Sequence, residues 1–223
     1  MHTNPNGLVI ACKVLKDQLE VLGDLPYETI YLEQGLHRTP KLLTEEIQGV
    51  IDKNPHYNLI ILGYGLCSRA VIGLRARPHQ TMIIPRIDDC IGLSLGERAK
   101  YFEQFKLYPG TYYFTKGWTE VGEDPLKEYK RTVEKYDEET AEWTIRSLLA
   151  NYVRTVYIKT SELDDKLAVD YIKEFARFFN LRYEEMTGSL DYLQKLIFGP
   201  WDKDFIVVKG EALTDERFAS PNL

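Results

Sequence analysis

Cys67 sits in the stretch LGYGLCSRAVIGL (62–74), behind two glycines and directly after the apolar run Leu59-Ile60-Ile61-Leu62. A thiol in a glycine-rich turn at the exit of a buried strand is well placed to meet a ligand. Glycines such as Gly63 and Gly65 let backbone approach closely and offer amide donors to sulfur or to a bound cofactor. The chain has three cysteines. Cys12 closes the apolar run GLVIAC (7–12), and Cys90 ends TMIIPRIDDC (81–90). The three are 55 and 23 positions apart, so no local metal-binding pattern joins them.

Thiolates and imidazole are donors suited to zinc, ferrous iron or an iron–sulfur cluster. His37, at the end of the segment ETIYLEQGLH (28–37), is the matching nitrogen donor, either as a fourth ligand or as a proton-transfer group. Arg69 and Arg86 are expected to neutralise thiolate charge or hold an anionic substrate. Asp88 and Asp89 fit supporting or proton-carrying roles, with Asp89, Arg86 and His37 the candidate catalytic set. Thiolates clustered beside these arginines should oxidise easily. The same thiols also admit two other readings, a redox or nucleophilic site and plain structural cysteine, which is among the most commonly buried residue types.

What makes the cysteines a set is the element pattern around them. Apolar runs at 7–12, 57–65 and 81–90 read as buried strands, and 28–37 as a further one. Between them, Val14, Leu15, Leu19 and Leu22 recur at helical spacing, and Pro40 opens a helix with Leu42, Leu43, Ile47, Val50 and Ile51 on its apolar face. LSLGERAKYFEQF predicts a helix that turns Leu93, Leu95, Ala99, Phe102 and Phe105 inward. Strands alternating with helices at this rhythm predict right-handed βαβ units. The fold class is therefore α/β, Rossmann-like, with mostly parallel sheet. In a parallel sheet all C-terminal strand ends share one edge, where ligands bind. Cys12, His37, Cys67 and Cys90 each follow a different strand and should meet there.

The rhythm resumes in the second part of the chain. GTYYFTKGW (110–118) reads as a strand or extended loop, with Tyr112, Tyr113, Phe114 and Trp118 as packing between halves or as a wall of the cleft. A charged helix covers about 124–150 with an interruption near KYDEE. Strands follow at 154–160, 181–186 and 204–210, with helices at about 163–179 and 189–198. Pro109 and Gly110 punctuate the best boundary, dividing the chain into halves 1–108 and 109–223, packed closely or sharing the sheet.

Composition narrows the function classes. Of 223 residues, 44% are hydrophobic and 28% charged, which suits a globular chain with a real core. A net charge of −6 disfavours a broad grip on nucleic acid. No segment has the length and apolarity of a membrane span, and MHTNPNGLVIACK lacks a signal-peptide pattern, so the expected setting is cytoplasmic. An odd cysteine count there argues against a disulfide scaffold. No G-x-G-x-x-G or Walker sequence points to a nucleotide.

The spaced motifs ACKVL (11–15), LGYGLC (62–67), IPRIDDCIGLSLG (84–96), PGTYYFTKGW (109–118) and WDKDFIVV (201–208) resemble the bacterial and archaeal family called domain of unknown function 1638. The resemblance spans nearly the whole chain. It implies Cys12, Cys67 and Cys90 as motif cysteines. It also implies a setting in anaerobes and methanogens, with a corrinoid methyltransferase component as a possible partner. The expected function is thus a metal- or iron–sulfur-dependent protein acting on a small-molecule substrate in anaerobic metabolism. The competing expectations are a non-enzymatic metal or cofactor carrier serving such a methyltransferase system, and a thiol redox protein.

Overall fold

The computed structural model describes residues 6–160 and 165–219. In chain order the first part contains β1 (Gly7–Cys12), α1 (Lys16–Val21), β2 (Glu28–Leu32), α2 (Pro40–Lys53), β3 (Leu59–Gly63), β4 (Thr81–Pro85), α3 (Ile91–Leu95) and α4 (Arg98–Leu107). The remainder contains β5 (Thr111–Phe114), α5 (Lys116–Val121), α6 (Pro125–Val133), α7 (Glu138–Leu148), β6 (Arg154–Lys159), α8 (Lys166–Phe179), β7 (Arg182–Thr187), α9 (Asp191–Phe198) and β8 (Phe205–Lys209). The fold is α/β with parallel-rich sheets.

One sheet has the order β2-β1-β3-β4-β8 and the other β5-β6-β7. Within the first, β1 pairs in parallel with β2 and β3, and β3 with β4. Every residue of β1 and β3 is buried, which explains their unbroken apolar sequence: a central parallel strand is covered on both faces. The chain then returns, and β8 pairs antiparallel with β4 from Thr81 opposite Lys209 to Pro85 opposite Phe205. The second sheet is fully parallel, with the buried β6 at its centre.

There are two cores, and the first is shared: Val156 and Ile158 of β6 join it from the second sheet. On the first, Leu43, Ile47 and Ile51 of α2 pack inward, while Leu42 is exposed. On the second, Phe114, Tyr157, Ile172, Phe175 and Phe179 form a cluster rich in aromatic edge contacts. The two are tied over the C-terminal edge of the first sheet. The Glu123 amide donates to Gln34 Oε1 at 2.7 Å, Arg38 pairs with Glu128 at 2.6 Å, and Lys100 Nζ donates to Thr187 O of β7 at 3.0 Å.

Four elements differ from the sequence reading, the first being 110–118, read as a strand or extended loop: β5 ends at Phe114 and Trp118 lies on the helix α5. The second strand stops at Leu32, and residues 34–38 coil into a 3₁₀ turn that carries His37. The helix expected over LSLGERAKYFEQF is two, because Gly96 adopts φ +87° and ends α3; Ala99 and Phe105 are consequently exposed rather than inward, Phe105 at 56%. The helix expected from about 163 begins at Lys166 among the described residues, positions 163 and 164 lying outside them.

Candidate functional site

The strand order places a topological switch at the first sheet's C-terminal edge: the chain moves from β1 outward to β2, then back past β1 to β3. Loops leaving β1 and β3 diverge there and open a crevice, the usual ligand position in open α/β sheets. Cys12 ends β1, and the segment 64–67 leaves β3. The loop after β4 brings Asp88, Asp89 and Cys90 to the same edge.

Close backbone approach makes this convergence possible. A Cβ added at Gly63 would lie 2.7 Å from the Cβ of Ala11, beside Cys12. One added at Gly65 would lie 2.6 Å from the Ile87 carbonyl oxygen and 2.9 Å from the Asp89 nitrogen. The loops are then stitched together, with the Leu66 amide donating to Ile87 O at 2.8 Å and the Cys67 amide to Asp88 O at 2.7 Å. Residues Cys67, Ser68 and Arg69 have φ values of 46°, 57° and 70°. Three successive non-glycine residues in the left-handed region cost on the order of 1 kcal/mol or more each. The turn is held by the Ala70 amide on Cys67 O at 3.1 Å and by Thr44 Oγ1 donating to Ala70 O at 2.6 Å.

A cleft of about 470 Å³ opens above these loops. Cys67, Cys90, His37, Asp88 and Asp89 form its floor and near wall. Tyr112, Tyr113, Trp118 and Tyr152, all from the second part of the chain, face them from the other side. Cys12 is fully buried and does not line the cleft, yet its charge state is felt by Cys67, Cys90 and Tyr64, so the three thiols share one neighbourhood.

Burial is the dominant electrostatic influence. It pushes the Cys12 thiol up to about 11, against opposing amide contacts from Val14 and Lys13. It raises Cys67 and Cys90 further, and each is raised again by Asp89 and the neighbouring thiols. All three therefore stand as neutral thiols at neutral pH. This reverses the expectation that Arg69 and Arg86 keep them as reactive thiolates. Arg69 turns outward to Asp215 at 2.7 Å. The Arg86 guanidinium donates to the carbonyls of Lys203 and Arg217, and neither arginine lines the cleft.

His37 is half-buried, with its ring stacked on Tyr64 at 5.8 Å and 28°. Its Nδ1 lies 2.9 Å from Gln34 O. A carbonyl only accepts, so Nδ1 carries the proton and Nε2 keeps a lone pair for a metal or a proton. Burial lowers its pKa, which the Gln34 bond partly opposes. Asp89 keeps surface toward the cleft while protein encloses it elsewhere; burial pushes its carboxyl up to about 6, against the Ile91 amide that donates to it at 2.9 Å. Asp88 raises Asp89 further, and the Tyr101 hydroxyl beside it works in the opposite direction.

Tyr64, Tyr101 and Tyr152 are the site residues that sequence reasoning missed. Tyr64 lies between Gly63 and Gly65, fully buried, with its hydroxyl lacking a hydrogen-bond partner among the described residues. The Tyr113 hydroxyl and Trp118 Nε1 are buried in the same state. Its place between two glycines at a switch-point exit was the available signal for Tyr64; Tyr152, in a loop before β6, had none. Among the described residues, no group of three or more His, Cys, Asp or Glu side chains stands as a ready-made metal site. No described helix is long and apolar enough to cross a membrane.

No curated protein and no solved structure matches the chain. Residues 31–197 match the model of a family described as "Protein of unknown function (DUF1638)"; that stretch takes in His37, Cys67, Cys90 and the aromatic wall but not Cys12. It covers about three quarters of the 223 residues, and the chain belongs to that family.

Proposed function

We propose that the chain is a metal- or iron–sulfur-dependent enzyme that acts on a small molecule in the cleft, with Cys12, Cys67 and Cys90 as thiolate ligands and His37 as fourth donor or proton carrier. The first sheet serves as a Rossmann-like support, its switch point presenting the site. One observation carries the reading: thiols from the exits of β1, β3 and β4 gather under a cleft whose opposite wall is aromatic. A carrier should offer its thiols near the surface, whereas these are at most 7% exposed and sit beside two groups able to move protons, His37 and Asp89.

The thiols fit a soft metal by donor type, and binding would remove their protons together. A metal held by three thiolates supplies an open position that polarises a bound substrate. His37 Nε2 then has its lone pair directed by the Gln34 bond, and the aromatic wall excludes water from the reacting atoms.

The test is metal and sulfide analysis of protein purified without oxygen. About one equivalent of zinc, or the iron of one small cluster, is expected, with a loss of tenfold or more in Cys67→Ala and Cys90→Ala. Circular dichroism confirms that the variants fold. A folded wild-type protein that retains neither zinc nor iron, as purified or after anaerobic reconstitution, overturns the proposal.

A further inference from the structure

The charge and shape of the cleft specify what it accepts. Among the described residues no Lys or Arg side chain lines it, while Asp88 and Asp89 both do. Arg154 is buried, donating to Thr111 Oγ1 at 2.8 Å; its charge reaches the Tyr113 hydroxyl, but its guanidinium is committed to Glu184 at 2.6 Å and to the Tyr108 ring at 3.9 Å. Lys13, after β1, pairs with Glu33 at 2.7 Å. An anion entering here would meet two carboxylates with no lining cation to answer them. The notion of an anionic substrate held by Arg69 and Arg86 loses its basis, since both point elsewhere.

The opposite wall adds a second, independent preference. Tyr112 and Tyr152 lie 5.9 Å apart at 55°, and Trp118 lines the cleft with them, while Tyr113 reaches it from the opposite face of β5. Aromatic faces attract cations through the ring quadrupole, most strongly when the cation is poorly hydrated and desolvated on entry. Carboxylates on one side and electron-rich faces on the other describe the same ligand from two directions.

We infer that the cleft selects a small organic cation, an ammonium carrying apolar substituents, held between the Tyr112–Tyr152–Trp118 wall and the Asp88–Asp89 loop. This rests on the cleft being the working site proposed above, and it names the substrate class of that site. The preference does not depend on the metal: a divalent ion bound by three thiolates leaves one further negative charge in the floor. A volume of about 470 Å³ also accommodates a longer body attached to the cation.

The experiment compares three probes of one shape: tetramethylammonium, neutral 2,2-dimethylpropan-1-ol and the anion trimethylacetate. Each is titrated into the intact protein by calorimetry or ligand-observed NMR, with metal content measured on the same sample. Tetramethylammonium should bind at least about tenfold tighter than the alcohol, and trimethylacetate weakest. Tyr152→Ala and Trp118→Phe, together with Asp88→Asn, should each erode that preference roughly 5–30-fold in cation affinity without altering binding of the alcohol to the same extent. Tyr152 lies in a partly exposed loop, so its truncation keeps the test independent of folding. Equal or tighter binding of the alcohol or the anion overturns the inference, as does no cation binding by folded protein. A sample that holds metal but prefers the anion overturns this inference alone. One that discriminates the cation but never holds metal overturns only the metal reading.

Discussion

Gly65 and Ile87 touch backbone to backbone, so closely that a Cβ on Gly65 would lie 2.6 Å from the Ile87 carbonyl oxygen. The contact joins the loop carrying Cys67 to the loop carrying Cys90, and it leaves no room for adjustment because the clashing atoms are main chain. Gly65→Ala should therefore push the two loops apart. Overpacking of this kind costs about 1–3 kcal/mol, and the two thiols should lose their common neighbourhood. The expected result is a folded, destabilised protein whose metal retention falls as far as in Cys67→Ala. Denaturant unfolding and metal analysis on one preparation check both parts. An alanine variant with wild-type stability and retention would mean that the loops do not meet as described.

The thiols themselves should be slow to react in metal-free protein. With Cys12 pushed up to about 11 by burial, only about one molecule in a thousand carries that thiolate at pH 8. Alkylation by iodoacetamide, mapped by mass spectrometry, should run at least about 100-fold slower than in the unfolded chain. All three should be protected, Cys12 by full burial and Cys67 and Cys90, although they border the cleft, by thiols raised further still. Three thiols alkylated at the unfolded rate would remove the premise that burial controls them.

Much of the site was legible because the parallel sheet converts sequence order into position. Once the runs 7–12, 57–65 and 81–90 read as buried strands, their exits have to share an edge, whatever the sequence distance between the cysteines. What escaped was set by partners far along the chain. Arg69 and Arg86 sit close to cysteines in sequence, yet their partners Asp215 and Arg217 lie 146 and 131 positions away. Nothing local to DFIVVKG says that β8 turns back to pair antiparallel with β4. Phe105 fits an inward helical spacing only if the helix runs unbroken, and the left-handed Gly96 resets the phase.

Ser68 tests the left-handed turn. At φ 57° its Cβ crowds the following carbonyl, and the side chain is exposed. Ser68→Gly removes about 1–2 kcal/mol of that strain and returns about 0.5–1 kcal/mol through a freer unfolded chain. A net gain of roughly 0.5 kcal/mol, or 1–2 °C in Tm, is expected. Ser68→Val should lose about 1–2 kcal/mol, because a β-branched residue tolerates this region worst. The reverse order of the two variants in thermal unfolding would contradict the turn geometry.

Asp17 gives a pH-dependent prediction away from the thiols. It is half-buried against α5, where a Cβ on Gly117 would come within 2.6 Å of its Oδ1, and that oxygen has no hydrogen-bond partner among the described residues. Burial pushes its carboxyl up to about 6; Glu120 adds to the rise, while the Gln18 amide and Lys116 oppose it. A carboxyl whose folded pKa exceeds its unfolded value binds its proton more tightly when folded, so its ionisation destabilises the protein as pH rises through about 6. Asp17→Asn keeps the shape and removes that charge. At pH 7 it should stabilise the protein by on the order of 1–2 kcal/mol after allowance for solvent screening, or roughly 3–6 °C in Tm. Below about pH 4 both side chains are neutral and the advantage should vanish. Asp89, raised in the same direction, is unchanged in both proteins, so the difference between their stability profiles isolates Asp17. Thermal unfolding of the pair from pH 4 to 8 measures it, and a gap that does not widen with pH would show that the Asp17 carboxylate is not ionised against burial.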